Sequence, residues 1–185
     1  MTPIAQRLPA AFRSELALAL FLVALDVVAR TTPHIWNFMP VAATALFAGR
    51  TFSNRGLALL VPLAAMLLGD LIIGFDSLRM EIVIYASMLL PAAVGIASRR
   101  LSGVAVVVAA MLACSLFFFG ATNFAVWAFG TMYPHTLAGL TQCFVAALPF
   151  LEKTVFGDLL WTAILFGGAW LMGRLPAASG SQRAA

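Results

Sequence analysis

The sequence predicts an all-α membrane protein, a bundle of about six transmembrane helices with an additional re-entrant or surface helix. Three observations lead to this fold class. Of the 185 residues, 63% are hydrophobic and 10% are charged, and the mean hydropathy is +1.01. The apolar residues form repeated runs of near-spanning length. Short basic or turn-rich segments separate these runs, whereas a membrane β-barrel would alternate polar and apolar residues within each strand.

Apolar length places six helices in order along the chain. The second is short, because only about a dozen apolar residues follow Pro40, and we expect it to be tilted, broken or shielded from lipid by its neighbours. The run from Leu137 to Phe150 is also too short to span, and we interpret it as the re-entrant or surface helix. The predicted spans are 15–29, 38–50, 57–74, 82–98, 102–120 and 154–173.

The spans form a single transmembrane domain, residues 15–174, between a cytoplasmic N-terminus of residues 1–14 and a disordered cytoplasmic tail of residues 175–185. Basic residues predict this orientation, because they concentrate in the cytoplasmic segments of membrane proteins. On the inner side lie Arg7, Arg13, Arg50, Arg55, Arg99, Arg100, Arg174 and Arg183, and on the outer side lie Arg30, Arg79 and Lys153.

Composition also excludes several functions. The net charge of +4 does not indicate nucleic-acid binding, because the basic residues are scattered between apolar runs and form no patch. Cys114 and Cys143 lack C-x-x-C spacing, so we expect neither a disulfide nor a metal site. No nucleophile triad, HExxH motif or phosphate-binding glycine loop is present. We therefore expect a protein that is not an enzyme and holds no cofactor.

Candidate ligand contacts concentrate in residues 120–158, where amides, aromatics and helix breakers interrupt the apolar pattern. Irregular backbone beside membrane segments requires protein or water to satisfy its polar groups, so this stretch is a candidate lining for a site. The orientation places it outside as far as residue 153. Its candidate contacts are Asn123, Trp127, Tyr133, His135 and Gln142.

The first outer loop supplies three further candidates, His34, Trp36 and Asn37, between Pro33 and Pro40. Both this loop and the last one contain a Pro-His pair, and imidazole can ligate a metal or hydrogen-bond a ligand. Alternatively, each histidine caps a helix, and the aromatics lie at the membrane interface. The amides either contact a ligand or tie loop backbone together.

Three aspartates lie inside apolar runs, where acidic residues are costly and face a bundle interior or a water-filled cavity. Asp26 has Arg30 one helical turn away, which is an ordinary explanation. Asp70 and Asp158 have no local partner and are the better functional candidates. For Asp158, capping of a helix start remains an alternative.

Small residues at four-residue spacing predict close helix packing inside the bundle or, alternatively, docking of a partner subunit. They are Ala45 with Gly49 in the second helix, and Ala105 with Ala109 and Ala113 in the fifth.

Several motifs, over roughly residues 30–170, resemble a family of uncharacterised bacterial integral membrane proteins: PHIWNFMP, ALFAG, LLGDLIIGF, SLFFFGATNFAVW, MYPHTLAGLTQCFVAALPF and FGDLLWTAILFG. A looser resemblance is to the substrate-binding S components of energy-coupling factor vitamin transporters. Those proteins have six helices and bind vitamins or metal ions from outside through their odd-numbered loops. The first helix here, ELALALFLVALDVVA, departs from them because it lacks the small-residue AxxxA pattern that docks the transport module.

This resemblance implies a multi-pass protein of the bacterial inner membrane that takes up a small vitamin- or metal-like micronutrient, alone or with an energising module. The expected site joins the residues named above with Asp70 and Asp158. One alternative is a non-transporting structural or accessory subunit of a larger membrane complex. Another is a small channel or ion carrier that uses the acidic residues.

Overall fold

The computed structural model describes residues 14–32 and 38–173, and within these ranges the chain forms six α-helices and no strand. This arrangement confirms the predicted all-α helical bundle. Most of the predicted N-terminal segment and the whole of the predicted tail lie outside the described residues. The helices are α1 (Glu15–Thr31), α2 (Val41–Thr51), α3 (Arg55–Ile73), α4 (Leu78–Ala97), α5 (Val104–Phe129) and α6 (Leu137–Met172), and a 3-10 turn, Ser98–Arg100, follows α4.

Four helices, α3 to α6, are long and apolar enough to cross a membrane. The two others fall short of that length, with 17 residues in α1 and 11 in α2. The four long helices indicate a membrane protein, in agreement with the composition.

The short helix α2 lies inside the bundle. Every residue of α2 except Arg50 is buried, and the helix contributes to both clusters of the hydrophobic core. The weak apolar run therefore has the explanation that the sequence allowed for, namely that neighbouring helices shield it from lipid. Because α2 touches α1, α3, α4, α5 and α6, it is the common packing partner of the bundle.

Residues 120–158, where polar residues and helix breakers interrupt the apolar pattern, contain much more helix than predicted. Only residues 130–136 are non-helical between α5 and α6, and the run from Leu137 to Phe150 is the first part of α6 instead of a separate re-entrant or surface helix. Two polar side chains near the end of α5 bond to their own helix, since Thr122 and Asn123 donate to the carbonyls of Phe118 and Phe119 at 2.7 and 2.8 Å. These side chains therefore do not have to break the helix.

Because the run from Leu137 to Phe150 continues into the last span, α6 is a single long helix. With 36 residues, α6 is about 54 Å long, whereas the hydrocarbon core of a bilayer is about 30 Å thick. Pro149 is accommodated inside it. The start of α6 is fixed by Thr136, whose hydroxyl accepts a hydrogen bond from the amide of Gly139 at 3.1 Å.

Two glycines bring α2 and α4 into backbone contact. A Cβ added at Gly95 would lie 2.6 Å from the carbonyl oxygen of Leu46 and 2.9 Å from the Cα of Gly49, and one added at Gly49 would collide with Ala92. The small residue predicted at position 49 therefore has the expected packing role. The prediction is wrong for Ala105, Ala109 and Ala113, which are exposed on α5.

Arg50 of α2 and Arg99 of the 3-10 turn after α4 hold together the end of the bundle where α2 and α4 end. Arg50 donates to the carbonyl and hydroxyl of Ser98 at 2.8 and 2.7 Å and to the carbonyl of Leu101 at 2.7 Å. In return, Arg99 donates to the carbonyl of Gly49 at 2.6 Å. Each arginine thus satisfies backbone carbonyls at the C-terminal end of the other helix, where a positive charge is favourable.

Candidate functional site

A buried ion pair connects α1 with α3. The guanidinium of Arg30 pairs with Asp70, and the side chains of these residues are 10% and 5% exposed. Tyr85 of α4 donates to the other carboxylate oxygen of Asp70 at 2.8 Å, and Arg30 also donates to the sulfur of Met66 at 3.1 Å. Asp70 therefore receives hydrogen bonds on both oxygens, one of them from a cation.

The ion pair of Arg30 is with Asp70 and not with Asp26, although the charge of Arg30 still acts on Asp26. Arg30 reaches across to α3 because Gly69 leaves room for it, and a Cβ at position 69 would collide with the guanidinium group. The carboxyl group of Asp26 contacts α2 instead, where the hydroxyl of Thr44 lies 2.7 Å from its Oδ2 atom. Asp26 is completely buried, and its Oδ1 atom has no hydrogen-bond partner within the described residues.

Asp158 has a similar environment between α5 and α6. Its Oδ2 atom lies 2.6 Å from the hydroxyl of Ser115, and the residue is 6% exposed. It does not act as a cap, because it lies in the middle of α6 and not at a helix start. In the described part of the chain Asp158 makes no ion pair, since the pair formed there is Arg30 with Asp70.

Asp158 and Arg30 both line a partly enclosed cavity of about 110 Å³. All six helices contribute to its wall, which extends into the bundle from the end of α1 and the start of α2. The wall is mostly apolar, with a few polar or sulfur-containing side chains placed on it. These include Met66 of α3, Ser87 and Met88 of α4, Cys114 of α5 and Thr154 of α6. This combination is typical of sites that bind a small molecule.

The candidates near the α5–α6 turn lie away from this cavity and connect the turn to itself. Trp127 donates from Nε1 to the carbonyl of Pro134 at 2.9 Å, and its ring packs edge-on against His135 at a centroid distance of 5.6 Å. The Nε2 atom of His135 lies 3.2 Å from the carbonyl oxygen of Gly130. Tyr133 is half-buried in the same turn.

Two amide candidates on the helices beside the turn also lie outside the cavity wall. The side chain of Asn123 is bonded to its own helix, and its backbone carbonyl accepts a contact from the Cys143 thiol at 3.4 Å. Gln142 is exposed on α6. The structure therefore pairs Asp70 with Arg30 and places Arg30 and Asp158 on the wall of one cavity. The wall does not include Asn123, Trp127, Tyr133, His135 or Gln142.

Three candidates, His34, Trp36 and Asn37, lie outside the described residues. Within residues 14–32 and 38–173, no group of three or more His, Cys, Asp or Glu side chains is arranged to hold a metal ion. Cys114 and Cys143 are free thiols and are buried.

Several site residues were not recognised from the sequence. Arg30 was assigned to the wrong acid, and Tyr85, Ser115 and Gly69 were not singled out. The signal for Gly69 was its position directly before a membrane-embedded aspartate, where a small residue allows a long side chain to approach. Ser115 gave no signal, because a lone serine in an apolar helix usually bonds to its own backbone.

Together, the fold and the cavity define a helical membrane protein with a mostly apolar internal cavity. The chain matches the model of a family of unknown function, DUF6580, over residues 10–179, and it belongs to that family. No curated protein and no solved structure matches the chain.

Proposed function

We propose that this protein binds and transports a small micronutrient, vitamin- or metal-like, as the S components of energy-coupling factor transporters do. The observation that carries the proposal is the cavity, which all six helices enclose and whose wall presents Arg30 and Asp158. Buried ionisable side chains in membrane helices are costly, and they commonly mark pathways for substrates or ions.

The wall favours a particular kind of solute. An acceptor group on the solute would be oriented by Arg30, and a donor or cationic group by Asp158, while its apolar part would contact Met39, Met88 and Ile84. The cavity volume of about 110 Å³ favours a small solute. Because these groups come from several helices, binding would depend on how the helices are arranged.

We further propose a multi-pass location in the bacterial inner membrane, with both termini in the cytoplasm and the cavity nearer the outer face. Arg50 and Arg99 close the opposite end of the bundle, which agrees with the concentration of basic residues on the cytoplasmic side. In this proposal the protein is not an enzyme, binds no nucleic acid, and acts alone or with an energising module.

Mass spectrometry of the natively purified protein tests the proposal. The protein is extracted in mild detergent and denatured, and the released small molecules are identified and quantified. One compound in stoichiometric amount is expected. Ala42→Leu, which fills the cavity wall, should abolish that compound, whereas Ala109→Leu on the exposed face of α5 should retain it.

Other outcomes have defined meanings. An empty protein with a constant polypeptide partner would overturn the proposal in favour of an accessory subunit of a larger membrane complex. Ion flux in proteoliposomes without any retained compound would support a channel or ion carrier. Equal retention by both variants would show that the compound binds outside the cavity.

A further inference from the structure

We infer that Asp158 is the proton-binding site of the cavity and is protonated at rest, and that Asp26 holds a second proton in a sealed position. Both aspartates contact a hydroxyl group on a neighbouring helix, and both hydroxyls also contact a carbonyl of their own helix. The inference rests on the number of hydrogens that these contacts require.

A serine or threonine hydroxyl has one hydrogen to donate, and a carbonyl oxygen has none. Ser115 lies 2.6 Å from Asp158 and 3.0 Å from the carbonyl oxygen of Met111, so its single hydrogen serves one of these contacts. Asp158 can supply the hydrogen for the other contact only if its carboxyl group is protonated. Asp158 then donates to Ser115, and Ser115 donates to Met111.

The same count applies to Asp26. Thr44 lies 2.7 Å from Asp26 and 2.9 Å from the carbonyl oxygen of Val41. The hydroxyl again faces two oxygens with one hydrogen, and the acid form of Asp26 supplies the second. Two independent places in the bundle therefore have the same acid, hydroxyl and carbonyl arrangement.

The surrounding charges agree with this count. A buried carboxylate is stable as an anion when a cation or several donors compensate it, and otherwise it takes up a proton. Asp70 has such partners, whereas Asp26 and Asp158 each have one hydroxyl. The positive charge of Arg30 also acts on Asp26, but Arg30 donates its hydrogen bonds to Asp70 and Met66. The titratable or charged side chains that share the cavity with Asp158 are Arg30 of α1, which is paired with Asp70, and Cys114 of α5. From α2, α3 and α4 the wall receives only uncharged side chains.

Asp158 and Asp26 differ in whether their carboxyl groups are accessible from the cavity. Asp158 lines the cavity, whereas Asp26 is completely buried and does not line it. A proton can leave the carboxyl group of Asp158 to water in the cavity. The hydroxyl of Ser115 can then rotate, so that its hydrogen points to the Asp158 carboxylate instead of the Met111 carbonyl. The carboxylate therefore keeps one hydrogen bond. Release of this proton could be coupled to movement of a solute, and only this coupling rests on the proposed function.

Infrared spectroscopy of the solute-free protein in a maltoside detergent tests the assignment. The chain has seven acidic residues, and Glu15, Asp76, Glu81 and Glu152 are exposed or half-exposed. At about pH 6, Asp26 and Asp158 should give the protonated-carboxyl C=O band, because these two carboxyl groups hold a proton in this assignment. Asp158→Asn should remove about half of that absorbance, since one of two carboxylic acids is lost.

Exchange into deuterium oxide provides the second readout. The Asp158 component of the C=O band should shift before the Asp26 component, because Asp158 lines the cavity and Asp26 does not. Asp26→Asn is the matched control, because it removes the slower component and so identifies it. Ser115→Ala should move the Asp158 band in frequency without removing it, and this variant also serves if Asp158→Asn does not fold. An unchanged band in folded Asp158→Asn protein, or no such band in the wild type, would overturn the inference. Because no solute is used, the result is independent of the proposed function.

Discussion

Asp70 and Asp158 are the same residue type, buried to a similar extent in the same bundle, but their partners differ. Asp70 is 4% exposed and has an arginine and a tyrosine on its two oxygens. Asp158 is 6% exposed and has one serine. Burial alone therefore does not determine what an acidic residue does inside a membrane protein. The partners on the neighbouring helices determine it, because they set which protonation state is stable.

The largest expected effect is on the ion pair. Arg30→Gln leaves the carboxylate of Asp70 buried without a cation, and we expect a loss of about 3–5 kcal/mol in the free energy of unfolding. Titration with sodium dodecyl sulfate in mixed micelles measures it. The double variant Arg30→Gln/Asp70→Asn should recover much of the loss, because no uncompensated charge remains. Equal instability of the single and double variants would contradict this account.

Hydrogen bonds to the two carboxyl groups should differ in strength. Tyr85→Phe removes a bond to an ionised acceptor, and we expect a loss of about 1.5–3 kcal/mol in the free energy of unfolding. Ser115→Ala removes a bond to a neutral acid and should cost about 0.5–1.5 kcal/mol. The same titration compares them, and a larger loss for Ser115→Ala would reverse the assignment of charge.

The space beside Arg30 is a third point of comparison. Gly69→Ala should force the guanidinium away from Asp70 and lower the free energy of unfolding by about 1–3 kcal/mol. Gly120 is the matched helical control, because a Cβ there meets nothing within 4 Å. Gly120→Ala should be neutral or stabilise by up to about 1 kcal/mol. If both variants behave alike in thermal unfolding, Gly69 has no spacing role.

The smallest effect is expected at Asp158 itself. Asp158→Asn replaces a neutral acid by a neutral amide of similar shape, which can still donate to Ser115, so the free energy of unfolding should change by less than about 1 kcal/mol. Asp70→Asn should be clearly worse, because it leaves Arg30 without its counter-ion. Unfolding curves of the two variants, recorded side by side, decide this, and similar losses would indicate that Asp158 is ionised.

The helices were predictable where a single apolar run determines them. The predicted start of the last span at residue 154 is 17 residues beyond the start of α6 at Leu137, because the short run from Leu137 to Phe150 indicates a separate re-entrant or surface helix when it is considered alone. In the structure polar and helix-breaking residues are tolerated inside helices, Asn123 by bonding to its own backbone and Pro149 within α6. Local patterns cannot show such compensation.

Partners that are distant in sequence were not predictable. Asp70 and Asp158 could be selected because a carboxylate in an apolar run needs compensation. Their partners are 40 and 43 positions away, and nothing in the sequence relates Arg30 to Asp70 or Ser115 to Asp158. The partner of Asp26 is unpredictable for the same reason, because proximity along one helix does not determine which side chains make contact.

The contact between Gly49 and Gly95 holds the backbones of α2 and α4 together at one end of the bundle. Backbone touches backbone there, and Arg50 and Arg99 lock the same end. From Gly49 to Val41 on the cavity wall, α2 extends for about 12 Å. A rotation of about 10° around the glycines would move the cavity end of α2 by about 2 Å while leaving the arginine-locked end in place. In the proposed transport function, a solute would therefore enter at the cavity end of the bundle, while the end held by Arg50 and Arg99 stays closed.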